Sequence, residues 1–181
     1  KTYGDADFTV AATDEAEGSS VSYESTNTNV ATVDSTGKVT IHAAGTTTIK
    51  ATAHETKDYA EKKIFYTLTV KPKTLTKDDL TYSGPITKVY DGSNSTPRGL
   101  TVSVKPDSLV GDDALAVNGT LKYNSANVSE ADTITFTPDA ITEGNYRLAA
   151  AEVLTITGAS ITKATPTYKK PTGVTAKYGQ T

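Results

Sequence analysis

Cysteine, methionine and tryptophan are all missing from the 181 residues. Without cysteine there is neither a disulfide nor a thiolate metal site, although the cellular compartment stays open. Without tryptophan, and with aromatics at 7%, an exposed sugar-stacking platform lacks its usual material. Histidine occurs twice, as His42 and His54. No apolar run approaches the roughly 18–20 residues that cross a bilayer, so no membrane insertion is expected within this segment. The net charge of -3 is spread over interspersed acids and bases. No basic stripe offers a grip on phosphates, so nucleic acid is not an expected partner. Neither an initiator methionine nor a signal peptide is seen, and the chain reads as a piece of something longer.

What is present is threonine, roughly one residue in five, which is β-branched and favours strands. Apolar residues make up 36%, low against the roughly 45–50%, glycine counted, of an ordinary globular chain. Any core must be thin. The dominant period is two. Val39 and Ile41 alternate with Thr40 and His42, Ile49, Ala51 and Ala53 with Lys50 and Thr52, and Tyr66, Leu68 and Val70 with Thr67 and Thr69. Val102/Val104, Leu115/Val117, Leu121/Tyr123, Ile134/Phe136 and Leu154/Ile156 repeat the pattern. Short alternating runs bounded by Gly, Asn, Asp or Pro predict antiparallel sheets with one wet face.

Two modules and a tail follow from these runs. The first, 1–72, has strands expected near 7–12, 20–25, 30–34, 38–42, 45–54 and 63–71. The second, 73–163, has strands expected near 75–82, 86–90, 98–105, 114–123, 132–137, 145–149 and 152–163. Short turns are expected within 129–136 and 142–153. Lys71-Pro72-Lys73 marks the boundary, since proline removes a ladder donor and fixes φ. Residues 164–181 are a linker and the start of a further repeat, because Lys177-Tyr178-Gly179 echoes Lys1-Thr2-Tyr3-Gly4. The fold class is all-β, two immunoglobulin-like β-sandwich domains in tandem.

No group of residues reads as a catalytic or cofactor site. In Ile86-Thr87-Lys88-Val89-Tyr90-Asp91-Gly92 the Asp is expected to turn the chain, by accepting downstream N–H groups while Gly supplies positive φ. Tyr90 is then the last inward residue of its strand. A glycosidase reading needs a second carboxylate on a facing element, and Asp112 and Asp113 after Gly111 look like another turn. His42 and His54, even joined by Asp34 or Glu55, fall short of a converging zinc set. Asp91–Asn94 and Gly111–Asp113 are oxygen-rich but lack the spacing of a calcium loop. Three Asn-X-Ser/Thr matches, at Asn94, Asn118 and Asn127, arise easily in so threonine-rich a chain. A Lys–Asn isopeptide crosslink would need a buried Lys, an Asn and an acid together, which sequence does not place. Tyr59 and Tyr146 each precede a final strand and are expected to pack as tyrosine corners.

Several stretches in order carry a resemblance: YGDADFTVAA, NVATVDSTGKVTIHAAGTTTIKATA, KDY and YTLTV. Residues 1–72 resemble a bacterial immunoglobulin-like domain of group 2. Tyr90-Asp91-Gly92, Gly111-Asp112-Asp113 and Gly144-Asn145-Tyr146 make 73–163 similar to the YDG domain, and PTGVTAKYGQT resembles the opening of an MBG-type repeat. KDY stands where N-Y is commoner in the first family. The resemblance implies tandem β-sandwich units of a large bacterial cell-surface, cell-wall or secreted protein, and no chemistry.

The expected role is therefore a structural spacer or stalk without enzymatic activity or cofactor. The alternative is a cell-adhesion module that recognises a host or dietary glycan or protein through the end loops 14–19, 92–98 and 107–113. An extended two-domain particle is expected, each module adding roughly 30–40 Å. The extracellular ligand, if there is one, is unknown. The tail invites strand exchange between neighbouring chains, by adding to an open edge of the first module.

Overall fold

Alternation becomes pleated strand nearly everywhere it occurs. The computed structural model describes residues 1–12, 20–169 and 172–173. In the first module the strands are β1 (Phe8–Thr9), β2 (Val21–Ser25), β3 (Ala31–Val33), β4 (Lys38–Ile41), β5 (Gly45–Ala53) and β6 (Lys62–Val70). They form two antiparallel sheets, β1-β4-β3 and β2-β5-β6. β5 and β6 pair over their full nine residues, with Ile49 opposite Tyr66 and Thr47 opposite Leu68. Ile49, Leu68 and Val70 pack on Val30, Ala31 and Val39 of the facing sheet. Thr47 is buried among them. Its hydroxyl meets Ser25 Oγ at 2.8 Å and accepts the Asn27 N–H at 2.9 Å, so it is satisfied. The expected strand 7–12 shrinks to Phe8–Thr9.

The second module holds β7 (Lys73–Leu75), β8 (Leu80–Ser83), β9 (Thr87–Val89), β10 (Thr101–Val104), β11 (Gly119–Tyr123), β12 (Thr133–Pro138), β13 (Tyr146–Leu148), β14 (Leu154–Thr157) and β15 (Ser160–Thr162). β11-β12-β14 is the largest sheet. The pairs β10-β8, β13-β7 and β15-β9 complete the set. Ile134 and Phe136 of β12 point inward and are fully buried. One end of this core gathers Leu100, Tyr123, Ile134, Ile156 and Ile161, the other Leu75, Leu80, Val104, Phe136 and Leu148.

Two expected strands are each broken in two. Within 75–82 a 3-10 turn, Lys77–Asp79, separates β7 from β8. The Asp79 carboxylate accepts the Thr76 N–H at 2.8 Å and its hydroxyl at 3.0 Å, which holds the chain out of the ladder. Within 152–163 the chain bends at Gly158, so that β14 and β15 join different sheets. Strands expected from 98 and 114 begin at Thr101 and Gly119. Turns do fall at 128–130 and 150–151.

Two parallel pairings decide where each module's ends lie. At the start of the chain Thr2 bridges Lys71 in parallel. In the second module β9 runs parallel to β15. The opening segment of the first module therefore sits beside that module's exit. Among the described residues no strand up to Val70 pairs with one from Lys73 onward. The apolar packing does not stop at this boundary. One cluster runs from Val39, Ile49 and Leu68 through Tyr3 and Tyr146 to Leu75, Phe136 and Leu148. The boundary at Lys71-Pro72-Lys73 is thus a packed joint, because β13, paired to the entry strand β7, brings Tyr146 against the preceding module.

Candidate functional site at the domain joint

Asp91 answers to turn chemistry. Its Oδ1 accepts the Ser93 N–H at 2.9 Å, the Ser93 hydroxyl at 2.8 Å and the Lys88 ammonium at 2.6 Å. Lys88 foremost, then the Ser93 donors, hold the Asp91 carboxyl down to about 2. Gly92 follows at φ +80°, a conformation that costs a residue with a Cβ. The inward residue here is not Tyr90, which is 44% exposed. Lys88 takes that place. Its side chain is 9% exposed, its ammonium lies 5.8 Å from the Tyr123 ring centre, and it also donates to the Ser93 carbonyl at 2.9 Å. A long stem can bury its methylenes and still deliver its charge to a turn. An amide bond between Lys88 and Asp91 would link residues three apart, not two strands.

The other candidates separate. His42 is exposed and meets Thr32 Oγ1 at 2.8 Å, whereas His54 meets Ser22 Oγ at 2.9 Å. Asp34 is a turn residue that accepts the N–H groups of Thr36 and Lys38. Among the described residues no three His, Asp or Glu side chains gather as metal ligands. Tyr59 is 57% exposed, contrary to its expected corner role. Its backbone closes the turn with Thr56 and turns the ring outward. Loop 14–19 lies outside the described residues.

Tyr146 does form a corner, and more than one domain uses it. Its hydroxyl accepts the Val110 N–H at 2.7 Å and donates to Asp113 Oδ2 at 2.7 Å. Tyr3 of the first module donates to the same oxygen at 2.9 Å. The two rings meet edge to face, with centroids 5.7 Å apart and planes at 86°, a favourable aromatic geometry. Burial first, and then the hydrogen bond to Asp113, push the Tyr146 hydroxyl up to about 12. The same causes raise Tyr3.

Backbone contacts frame the rings. Tyr3 N–H donates to Lys71 O and Lys71 N–H to Lys1 O, each at 2.8 Å. Asn145 spans the boundary, its side-chain oxygen accepting the Ala44 N–H at 2.9 Å while its carbonyl accepts the Lys73 N–H at 2.8 Å. Gly4, at φ +90°, touches Val110 so closely that a Cβ there would lie 2.7 Å from its Cγ2. Asp113 and Val110 belong to 107–113, so that loop is spent in part on the joint. Chemically the arrangement holds two sandwiches together. It has one carboxylate with both nearby hydroxyls already committed to it. Sequence reasoning missed Tyr3 and Asp113 as partners, although it singled out the motifs that contain them.

Two family models match separate stretches of the chain. Residues 5–55 match the family model of the immunoglobulin-like domain of intimin. Residues 71–154 match that of the YDG domain. No curated protein matches the chain. Neither family match reaches 164–181, read above as a linker and the start of a further repeat, and the echo Lys177-Tyr178-Gly179 lies outside the described residues. An immunoglobulin-like domain followed by a YDG domain, clasped together through Tyr3, Asp113 and Tyr146, is what this chain contains.

Proposed function

We propose that the chain is a non-catalytic spacer of a bacterial cell-surface or secreted protein, in which a packed joint keeps successive β-sandwich domains in line. The observation that carries this reading is the joint itself. Tyr3 is 8% exposed because the second domain covers it, and its ring and hydroxyl both find partners there. A spacer must transmit direction from one domain to the next, and interdomain contacts of this kind limit relative motion that a bare linker would allow. The match to an intimin domain supports a bacterial surface location. Small-angle scattering tests the spacer reading. Two modules in line give a length of about 70 Å and a radius of gyration above 20 Å, whereas a compact chain of this length gives about 16 Å. The compact value would overturn the reading.

A second reading, a binding module, draws on one feature. Ile64, Phe65 and Tyr66 of β6 are 50%, 67% and 47% exposed. They lie on an edge strand rather than in the end loops. A glycan array and a protein-binding screen on the chain and on Phe65→Ser decide it. Reproducible binding that Phe65→Ser abolishes would favour this role over the spacer.

A further inference from the structure

The first domain shows what a finished joint looks like from the side of the preceding domain. Tyr3 follows the isolated parallel bridge of Thr2 to Lys71, its N–H donates to Lys71 O at 2.8 Å just past β6, and the chain turns at once through Gly4 with positive φ. The second domain has a similar arrangement after its third strand. Tyr90 follows β9, its N–H donates to Thr162 O at 2.8 Å, and the chain turns through Gly92 with positive φ. In both domains the segment just before this tyrosine runs parallel to the exit, although in the second it is the third strand, β9, while the entry strand β7 pairs with β13. Tyr90 is therefore the counterpart of Tyr3, and its exposure differs for a visible reason. Tyr3 has a domain seated on it, whereas Tyr90 remains 44% exposed beside Val89 at 60%. It lines a recess of about 260 Å³ together with Val128, Lys163 and Ala164.

We propose that this recess is the near half of a second joint, and that its occupant is the next β-sandwich domain of the same chain. Three observations choose this occupant over a free ligand. The chain leaves the domain through the recess, since Lys163 and Ala164 line it. Whatever follows is thus held close at high effective concentration. The face continues the geometry of a joint that the molecule already uses. The tyrosines also recur in sequence, with Tyr3, Tyr90 and Tyr178 spaced about 87–88 residues apart, as equivalent points of a tandem array are. The chemistry of the occupant follows from the first joint: an aromatic edge for the Tyr90 ring and an acceptor for its hydroxyl, the parts that Tyr146 and Asp113 play for Tyr3.

This inference rests on the tandem reading above but is tested apart from it. The chain has no cysteine, so Lys163→Cys is a single reporter in the recess that leaves Tyr90 in place. Maleimide labelling is compared in the 181-residue chain and in the natural chain continued through the domain after Thr181, with Tyr59→Cys as an exposed control. The expected result is labelling at least about tenfold slower at Lys163→Cys in the longer chain. Tyr59→Cys should be unchanged, and speed should return when Tyr90→Ala is added. Equal rates in both chains would overturn the proposal, as would a natural chain that ends without a further domain. Protection that grows with concentration in the 181-residue chain would assign the face to a second copy and also overturn it. None of these failures alters the scattering result that tests the spacer.

Discussion

Removing the Asp113 carboxylate strikes the joint at its centre. Two phenolic hydroxyls, from different domains, donate to one oxygen at 2.9 and 2.7 Å. A hydrogen bond to a charged group contributes about 1.5–3 kcal/mol. The two bonds share an oxygen and Asp113 is only half-buried, so water recovers part of the loss. For Asp113→Ala we expect a net cost of about 2–3 kcal/mol. Asp113→Asn keeps an acceptor without the charge and should cost about 1 kcal/mol. Urea unfolding, followed by tyrosine fluorescence and far-ultraviolet circular dichroism, measures both. Because the carboxylate couples the domains, the wild type should unfold in one transition and Asp113→Ala in two. A double-mutant cycle with Tyr3→Phe should give a coupling of about 1 kcal/mol or more. A loss below about 0.5 kcal/mol for Asp113→Ala, the range of an ordinary surface change, would refute the reasoning.

Other outcomes follow from the same geometry. Gly4→Ala should cost about 1–3 kcal/mol through its φ of +90° and its approach to Val110; adding Val110→Ala should recover the steric part in calorimetry and leave the backbone part. Folding favours the neutral Tyr146 phenol, whose pKa rises from 10.0 to about 12, so the joint's contribution is whole below pH 10 and lost as pH climbs through 12, with tyrosinate absorbance reporting the step. Asp91 has the opposite sign: its carboxyl is held down to about 2 from 3.8, so the turn's contribution is present above pH 4 and fades toward pH 2, which amide exchange at Ser93 would show. Ile134→Ala removes a fully buried side chain of the YDG domain and should cost about 2–5 kcal/mol in the same denaturation assay.

Most of the strands were legible because alternation and burial have one cause. Leu68, Ile134 and Phe136 are each flanked by threonines, and each points into a core. The pattern misled where a side chain has two natures. Tyr90 looks apolar enough to face inward, yet Lys88 does so, since its stem packs on Tyr123 while its charge serves the turn. Tyr59 failed for a related reason: its position before β6 says nothing of the turn with Thr56 that directs its ring outward. The Lys77–Asp79 break depends on a carboxylate reaching back to Thr76, a local competition that periodicity does not register. The joint was hidden for a different reason. Tyr3 and Asp113 lie 110 residues apart, and one sequence does not show which distant residues meet. The recurrence of a tyrosine before each glycine turn was the available signal.

Residual dipolar couplings on the wild-type chain test the central claim most directly, since they report whether the two domains share one orientation in solution. A single alignment tensor fitting amides of both domains, splitting into two in Asp113→Ala, is the predicted result. Two unrelated tensors in the wild type would contradict a packed joint and the spacer built on it.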